Sequence, residues 1–499
     1  MRLSYAAAGW TAGLAAMVGA AAYMLAARFA LGVSTLPEMF ADPVLYVIPA
    51  PIFSAVLDTI RFAGKPFLLL VLFLGQLAVG GLVGRYLSGV GPVLRHSLWT
   101  CAIIWVVTVA FLMPALGVGF LGALTVAGSL ATGVVYLIAY ALYATAFAWL
   151  YRWLTRPVEP ATPAVDRGRR RTLQRIGLGI AGLAGLGIAW EALGAVTAAA
   201  DATRPPAKLP SSITPVAGFY VVTKDLIGVK VDAPTWTLTV VGNNGATRTF
   251  SLPDIQAMPR TELTSTLTCI SNDVGGNLIG TARWTGVRLR DLLATVGVGP
   301  RAYSVAFSAW DNYADSIPIA RALDPSSLLA DEIDGAPLPD LHGFPLRLIV
   351  PGLYGIKNVK WIKQIEVLDH GFEGYWQARG WTDDATVQTQ SQIDVPFDRA
   401  VFPSGPVSVG GIAFAGNRGI SQVELSPDGG KTWLATNLRQ PLSPLAWTTW
   451  TLDWHPSTPG WHRLVVRATD GLGQPQRADV TPPIPDGATG YHSIDVRVG

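Results

Sequence analysis

Cysteine is nearly absent from this chain: two in 499 residues, Cys101 and Cys269. Histidine is scarce as well, with six in all: His96, His342, His370, His455, His462 and His492. This inventory excludes a disulfide scaffold, a cysteine-rich zinc site, an iron–sulfur cluster and a C-x-x-C-H haem attachment. Any redox cofactor the chain holds needs very few protein ligands. Charge is thin too, at 14% Asp, Glu, Lys and Arg against roughly 25% in an average soluble domain. A purely soluble, disordered or collagenous chain is therefore excluded. There is no basic stripe: the first 200 residues carry 13 of the 37 Lys and Arg and 6 of the 34 Asp and Glu, which leaves the remainder mildly acidic. That balance argues against nucleic acid as a partner.

Long apolar runs are what the first part has. Mean hydropathy is +0.36, and the stretches Ala6–Ala27, Pro66–Gly84, Ser97–Gly119 and Gly122–Tyr151 each reach the roughly 20 residues a helix needs to cross a bilayer core. A fifth, Ile176–Ala200, follows a basic stretch; Val44–Ile60, broken by Pro49, Pro51 and Asp58, reads as an interfacial or re-entrant element. Arg2, Arg85, Arg95 and the run Arg152, Arg156, Arg167, Arg169, Arg170, Arg171 and Arg175 fall on one side of a five-span arrangement. Only Arg28, Arg61 and Lys65 fall on the other. The positive-inside rule then puts the N-terminus in the cytoplasm and everything after residue 200 outside it: a multi-pass cell-membrane protein whose partner is the lipid bilayer. No paired charges within the spans point to transport. His96, the one histidine before residue 200, falls in a predicted cytoplasmic loop, so bis-histidine haem within the spans is excluded. Glu191 lies near the outer end of the fifth span, within reach of the interface. Arg170-Arg171-Thr172-Leu173-Gln174-Arg175 before a Gly/Ala-rich segment fits an internal twin-arginine export signal or a simple anchor. Ala198-Ala199-Ala200 fits a cleavage site.

The predicted organisation is a transmembrane region over 1–175, a fifth span or signal over 176–200, a Pro/Ser/Ala-rich linker over 201–215, an α+β domain over 216–388 and an all-β domain over 389–499. In the α+β part, Thr235–Val241, Arg347–Val350 and Val359–Val367 read as strands, and Val287–Val296 has apolar residues at helical spacing. In the last part, Val407–Phe414, Gln422–Ser426, Thr448–Leu452 and His462–Ala468 alternate, and Asp428-Gly429-Gly430 supplies hairpin chemistry. This pattern predicts an immunoglobulin-like β-sandwich with Trp433, Trp447, Trp450, Trp454 and Trp461 in its core or interfaces.

The stretch Thr266–Leu293, TLTCISNDVGGNLIGTARWTGVRLRDLL, resembles the cofactor segment of the sulfite oxidase family of molybdopterin enzymes. His342–Trp361, HGFPLRLIVPGLYGIKNVKW, resembles that family's second signature. Gly419–Trp433 with Ala468-Thr469-Asp470-Gly471 resembles its dimerisation domain, so the likeness runs in order over roughly residues 213–499. A lone cysteine in a strand is ordinarily a small buried hydrophobe; by this resemblance Cys269 is instead the one protein thiolate on molybdenum, a soft ligand suited to such a centre. The resemblance further implies that the Mo-molybdopterin cofactor is held by Val221, Val222, Thr223, Lys224 and Asp225, by Asp311, His342 and Arg347, and by the Asn358-Val359-Lys360 turn.

Departures bear on the substrate. Sulfite-oxidising members carry two arginines soon after the cysteine, where this chain has Asp273 and Val274. The tyrosine of the active site is matched by Trp381, and Thr223-Lys224-Asp225 stands where Arg, Asn and His are expected, with Lys224 left to recover some positive charge. A doubly charged anion in a pocket short of cations is poorly compensated, which favours a neutral or bulkier small-molecule substrate. The resemblance thus implies a two-electron oxygen-atom transfer, either oxidation of a sulfur compound such as sulfite or reduction of an S- or N-oxide. Electrons would be exchanged with a separate carrier, cytochrome or quinone-linked, and a homodimer would form through the C-terminal domain. The competing class is a non-catalytic, membrane-tethered binding or assembly module with a degenerate cofactor fold.

Overall fold

A computed structural model describes residues 4–40, 64–90, 93–116, 118–123, 128–156, 209–224 and 229–499. They divide into two compact units, Met1–Thr203 and Arg204–Gly499.

The first unit contains helices α1 (Tyr5–Leu31), α2 (Gly64–Leu87), α3 (Val93–Ala115) and α4 (Gly128–Thr155), and in length and composition each is able to cross a membrane. The predicted fifth span Ile176–Ala200, with Glu191 and the arginine motif, and the Val44–Ile60 element lie outside the described residues. Ser4 caps α1 by accepting the Ala7 amide, and Gly32, in the left-handed region at φ 72°, closes it with its N–H on Arg28 O. The helix α4 starts later than its apolar run: a 3-10 turn at Phe120–Gly122 precedes it. Within α3 the turn Thr108–Leu112 widens to π geometry. Pro114 follows, whose ring cannot sit against a carbonyl four residues back, and the wider turn gives it room. Past Gly32 the chain folds Glu38 back onto Arg28, 2.9 Å away and buried with it. The span-by-span sequence reading found no such pair because the two residues meet only across this turn.

The helices α1 and α2 approach through glycine. A Cβ at Gly13 would stand 2.4 Å from Gly80 O, and one at Gly84 2.5 Å from Gly9 O, whereas one at Gly19 would meet nothing. Backbones this close are the membrane substitute for hydrophobic drive. Gly13→Leu is therefore expected to lower the thermal midpoint in detergent, at a cost of about 1–3 kcal/mol for forced overpacking, while Gly19→Leu leaves it in place.

The second unit is built of strands. In its first part these are β1 (Thr237–Val241), β2 (Thr247–Ser251), β3 (Arg260–Thr268), β4 (Ile279–Arg288), β5 (Ser304–Ala309), β6 (Ala314–Pro318), β7 (Leu328–Ile333), β8 (Ala336–Pro337), β9 (Arg347–Ile349) and β10 (Ile362–Leu368). They form two sheets, ordered β2-β1-β10-β5-β6 and β3-β4-β7-β8, with β9 paired to β7. The predicted helix Val287–Val296 is shorter: Val287 and Arg288 still belong to β4, and the helix covers Leu289–Ala294. The β4–β7 pairing captures those two residues, a tertiary contact that overrides local spacing.

After residue 388 no α-helix occurs among the described residues. The strands are β11 (Gln390–Val395), β12 (Val401–Phe402), β13 (Val407–Phe414), β14 (Ile420–Ser426), β15 (Leu434–Ala435), β16 (Asn437–Leu438), β17 (Thr448–Trp454), β18 (Gly460–Asp470) and β19 (His492–Val498). The sheets β11-β13-β17-β16 and β12-β19-β18-β14-β15 share one core around Trp450, Val409, Leu425, Leu464 and Val496. The Asp428-Gly429-Gly430 turn forms as read. Asp428 accepts the Lys431 and Thr432 amides at 3.0 and 2.9 Å, and both glycines have positive φ. Trp447, Trp450 and Trp454 are buried, but Trp461 is 59% exposed. Trp433 instead carries the Arg467 guanidinium 4.0 Å over its ring.

Candidate active site

Cys269 follows β3 directly and opens the loop to β4. Its N–H donates to Leu278 O at 2.9 Å, its carbonyl accepts the Asn272 amide at 3.1 Å, and Asn272 Oδ1 accepts the Leu278 amide at 2.8 Å. The loop is closed on itself by backbone, so the thiol is fixed rather than carried on a free end. Its Sγ lies 3.0 Å from Ser271 Oγ, and the residue is 5% exposed. From the second sheet pair, His492 lies against the same loop: a side chain at Gly275, φ +76°, would strike its ring. The 3-10 turn Gly355–Lys357 packs against the backbone of Thr268 and Cys269. A Cβ at Gly355 would stand 2.9 Å from Tyr220 Oη and 3.7 Å from the Cys269 Cα.

A basic cluster forms beside it. Arg347 is buried with its guanidinium 4.9 Å over the Trp284 ring. Its Nη1 donates to His342 O at 3.0 Å, and its Nε has no hydrogen-bond partner. Lys360 Nζ donates to Val222 O and Leu341 O, each at 3.1 Å, which brings the Val221-Val222 segment to the cluster. The His342 imidazole stands edge-on to Phe219, 5.8 Å between centroids. Burial first, then the Arg347 and Lys360 charges, push His342 down to about 4, and burial pulls Arg347 to about 10. A buried guanidinium with an unsatisfied N–H beside two further basic groups is a preformed seat for an anion.

The His342 shift makes a prediction. Its folded value lies below the unfolded one, so between pH 6.5 and about 4 the unfolded chain takes a proton that the folded chain refuses. Stability therefore falls with pH through this window. In the cofactor-free protein the loss is expected to reach at most about 3 kcal/mol, read from denaturation midpoints, and to vanish in His342→Gln.

The remaining sequence-predicted residues are placed as follows. Asp225 lies outside the described residues. Asp311 is buried, its Oδ1 accepting the Tyr313 amide at 3.0 Å. Asn358 is committed to the fold: Oδ1 accepts the Val350 amide at 2.7 Å and Nδ2 donates to Tyr354 O at 3.0 Å. Val359 is buried and its carbonyl accepts the Leu348 amide at 2.8 Å, so of that turn only Lys360 brings a charged side chain to the cluster. Thr223 is half-buried. Lys224 is buried with Nζ 5.4 Å from the Tyr375 ring. Trp381 sits in an apolar cluster with Ile270, the residue after the cysteine, and with Tyr354, Phe414 and Trp447.

Sequence reasoning missed several neighbours. Tyr220 is half-buried, and desolvation with the nearby Cys269 raises its hydroxyl far above the ordinary range. The Arg379 guanidinium lies 3.5 Å over the Tyr375 ring that Lys224 also faces. Tyr313, Asp315 and Lys357 form a buried network. Lys357 lies inside the second signature and Arg379 two residues before Trp381, so proximity in sequence was the available signal; burial, which gives them weight, was not legible.

Comparison with known proteins bears on this geometry. Residues 226–376 match the model of an oxidoreductase molybdopterin binding domain, and residues 382–485 that of a Mo-co oxidoreductase dimerisation domain. The chain is 34% identical to mitochondrial sulfite oxidase of Rattus norvegicus over 332 residues, 56% of this chain and 60% of that protein. It is 31% identical to sulfite oxidase of Gallus gallus over 331 residues, 56% of this chain and 71% of that one. The match thus spans less than two thirds of the rat relative and 71% of the chicken one. The crystal structure of the sulfane dehydrogenase SoxCD from Paracoccus pantotrophus superposes with TM-score 0.52 at 23% identity, covering 59% of this chain and 83% of that chain, a likeness of fold.

Proposed function

The chain belongs to the sulfite oxidase family of molybdopterin enzymes, and on that premise we propose that it is a membrane-anchored, extracytoplasmic molybdenum oxidoreductase acting on a small sulfur compound or an S- or N-oxide. The observation that carries the reading is a fixed, buried Cys269 beside the basic cluster of His342, Arg347 and Lys360. The partnerless Arg347 Nε fits an anionic cofactor. Cys269 is the thiolate ligand. Arg347, Lys360 and His342 hold the phosphate and pterin edge, with Tyr220 and the Val221–Lys224 segment beside them and Asp311, Asn358 and Val359 shaping the walls. When bound, the molybdenum centre supplies two-electron oxygen-atom transfer, with water as source or sink of the oxygen.

Around that centre the chain's own groups exclude water and orient the substrate. Trp381, packed beside Ile270, offers an apolar wall. Lys224 and Arg379, gathered on Tyr375, supply positive charge that Asp273 and Val274 do not, so a sulfur oxyanion regains a place among the substrates. Single electrons pass to or from a separate cytochrome or quinone-linked carrier, since the cysteine and histidine inventory leaves no haem or cluster in the chain. The described helices and the fifth run serve as a five-span anchor, with Arg170-Arg171 part of a twin-arginine export signal. The immunoglobulin-like C-terminal sandwich joins two copies.

The test is molybdenum and pterin content of the full chain purified from a host that makes the cofactor. Near-stoichiometric metal, followed by turnover with sulfite and an electron acceptor or with methionine sulfoxide and a reduced dye, is expected. A folded chain with neither metal nor pterin overturns the reading and leaves a tethered binding module.

A further inference from the structure

Behind the cysteine pocket lies a buried polar network that nothing in cofactor binding requires. Lys357 is 1% exposed, yet it is a lysine. Its Nζ donates to Asp315 Oδ1 at 2.8 Å, to Ser316 O at 3.0 Å and to Asp383 Oδ1 at 2.6 Å, which uses all three ammonium protons. Asp315, also 1% exposed, accepts the Ser316 amide on Oδ1 at 2.8 Å, and on Oδ2 the Tyr313 hydroxyl at 2.9 Å and Gln377 Nε2 at 3.4 Å. The Tyr313 hydroxyl also donates to Ile356 O at 2.7 Å, next to Gly355, which lies against the Cys269 backbone. At the other end, Asp383 is 71% exposed. Gly374 seals the network, since a Cβ there would meet Asp315 at 2.7 Å.

We propose that Tyr313, Asp315, Lys357 and Asp383 form a proton relay between the Cys269 pocket and solvent. The proton count at Tyr313 motivates it: one hydroxyl proton stands between two acceptors, so a second proton on Asp315 can be held by donation to Tyr313 Oη while Tyr313 donates to Ile356 O. The Lys357 ammonium is shared between the buried Asp315 and the exposed Asp383, so an extra proton on Asp315 removes a buried charge whose cation is divided, which low dielectric favours. Burial raises Asp315 above the ordinary carboxyl range despite Lys357, and raises Tyr313 too, with Asp315, Asp311 and Cys269 adding to it. Tyr375, 5.9 Å from Tyr313 between ring centroids, is the remaining titratable group packed against the pair.

The need for such a path rests on the oxidoreductase reading. A substrate that gains one oxygen atom from water releases two protons and two electrons; the electrons leave through the separate carrier, and the protons must reach solvent. A proton reaching Tyr313 Oη displaces its own onto Asp315 Oδ2. Lys357 first gives one of its three protons to Asp383, which delivers it to water, and then takes the proton held on Asp315. Lys357 is an ammonium before and after, and in reductive turnover the order reverses.

The test uses the loaded full chain and Asp383→Asn, an exposed change expected to keep fold and molybdenum content. In dilute buffer its turnover is expected to fall about tenfold, the low side of what a lost proton-transfer group costs, and to recover as acetate is raised, because a small acid substitutes for a surface carboxylate. Wild-type rates in dilute buffer, or a loss that acetate does not restore, overturn the relay. Infrared titration of the metal-free protein supplies a readout independent of turnover. A protonated-carboxyl band is expected to disappear in Asp315→Asn and to move in Tyr313→Phe; a band unmoved in Tyr313→Phe overturns the link. Should the wild-type chain carry no molybdenum, the oxidoreductase reading fails, and the infrared result still decides whether Tyr313 and Asp315 share a proton.

Discussion

Cys269→Ala is expected to give a folded chain that retains little molybdenum and turns over more than about 100-fold more slowly, since even the partners of a metal ligand commonly contribute 10–100-fold. The fold tolerates the change because the cysteine's structural duties are performed by its backbone. The N–H and carbonyl, on Leu278 and Asn272, close the loop, while the thiol lies against Ser271 Oγ. Stability should therefore move little, by no more than the small apolar volume lost. The basic cluster is untouched, so pterin content should fall less than metal content. Equal metal in mutant and wild type, measured by elemental analysis, would show that another group ligates it.

Lys357→Met is expected to cost about 3–5 kcal/mol, the penalty of leaving a buried charge without its partner. Asp315 would keep the Ser316 amide and the Tyr313 hydroxyl but lose its cation, while Asp383, mostly exposed, would turn to water. The pH dependence identifies the cause. Losing the cation raises the folded Asp315 value further above its unfolded one, so the mutant's deficit is largest above the folded value and shrinks as acid protonates the carboxyl in both states. Denaturant midpoints at neutral and at acid pH measure this. The double change Lys357→Met with Asp315→Leu should recover much of the loss, because an apolar pair of similar volume avoids the desolvation of both ions.

The parts of the molecule legible in sequence share a physical origin. Apolar runs about 20 residues long are read from hydropathy alone, because a bilayer selects on length and composition, and four of them became helices. The strand read over Val407–Phe414 forms over those residues, although all of it but Ser408 is buried, so it is covered on both faces rather than on one. Glycines with a required left-handed φ marked the Asp428 turn. The family resemblance placed Cys269, His342, Arg347 and Lys360 within two short signatures, and the fold brings the three basic residues together through short contacts along residues 342–360.

What the chain could not disclose by itself is what depends on meeting across distance. The pairing of Arg28 with Glu38 follows from a turn, and that of β4 with β7 from a sheet that cut a predicted helix short. The Asn358 side chain staples its own loop through Val350 and Tyr354, backbone partners that no local pattern announces. Lys224 and Arg379 converge on one tyrosine ring, and Asp315 meets Lys357 in the dark of the core. Sequence determined the membrane runs, the family and the thiol, since these rest on composition and local pattern. Tertiary structure alone decided which charges are buried and paired, since desolvation and Coulomb energy depend on three-dimensional surroundings and leave no periodic trace along the chain.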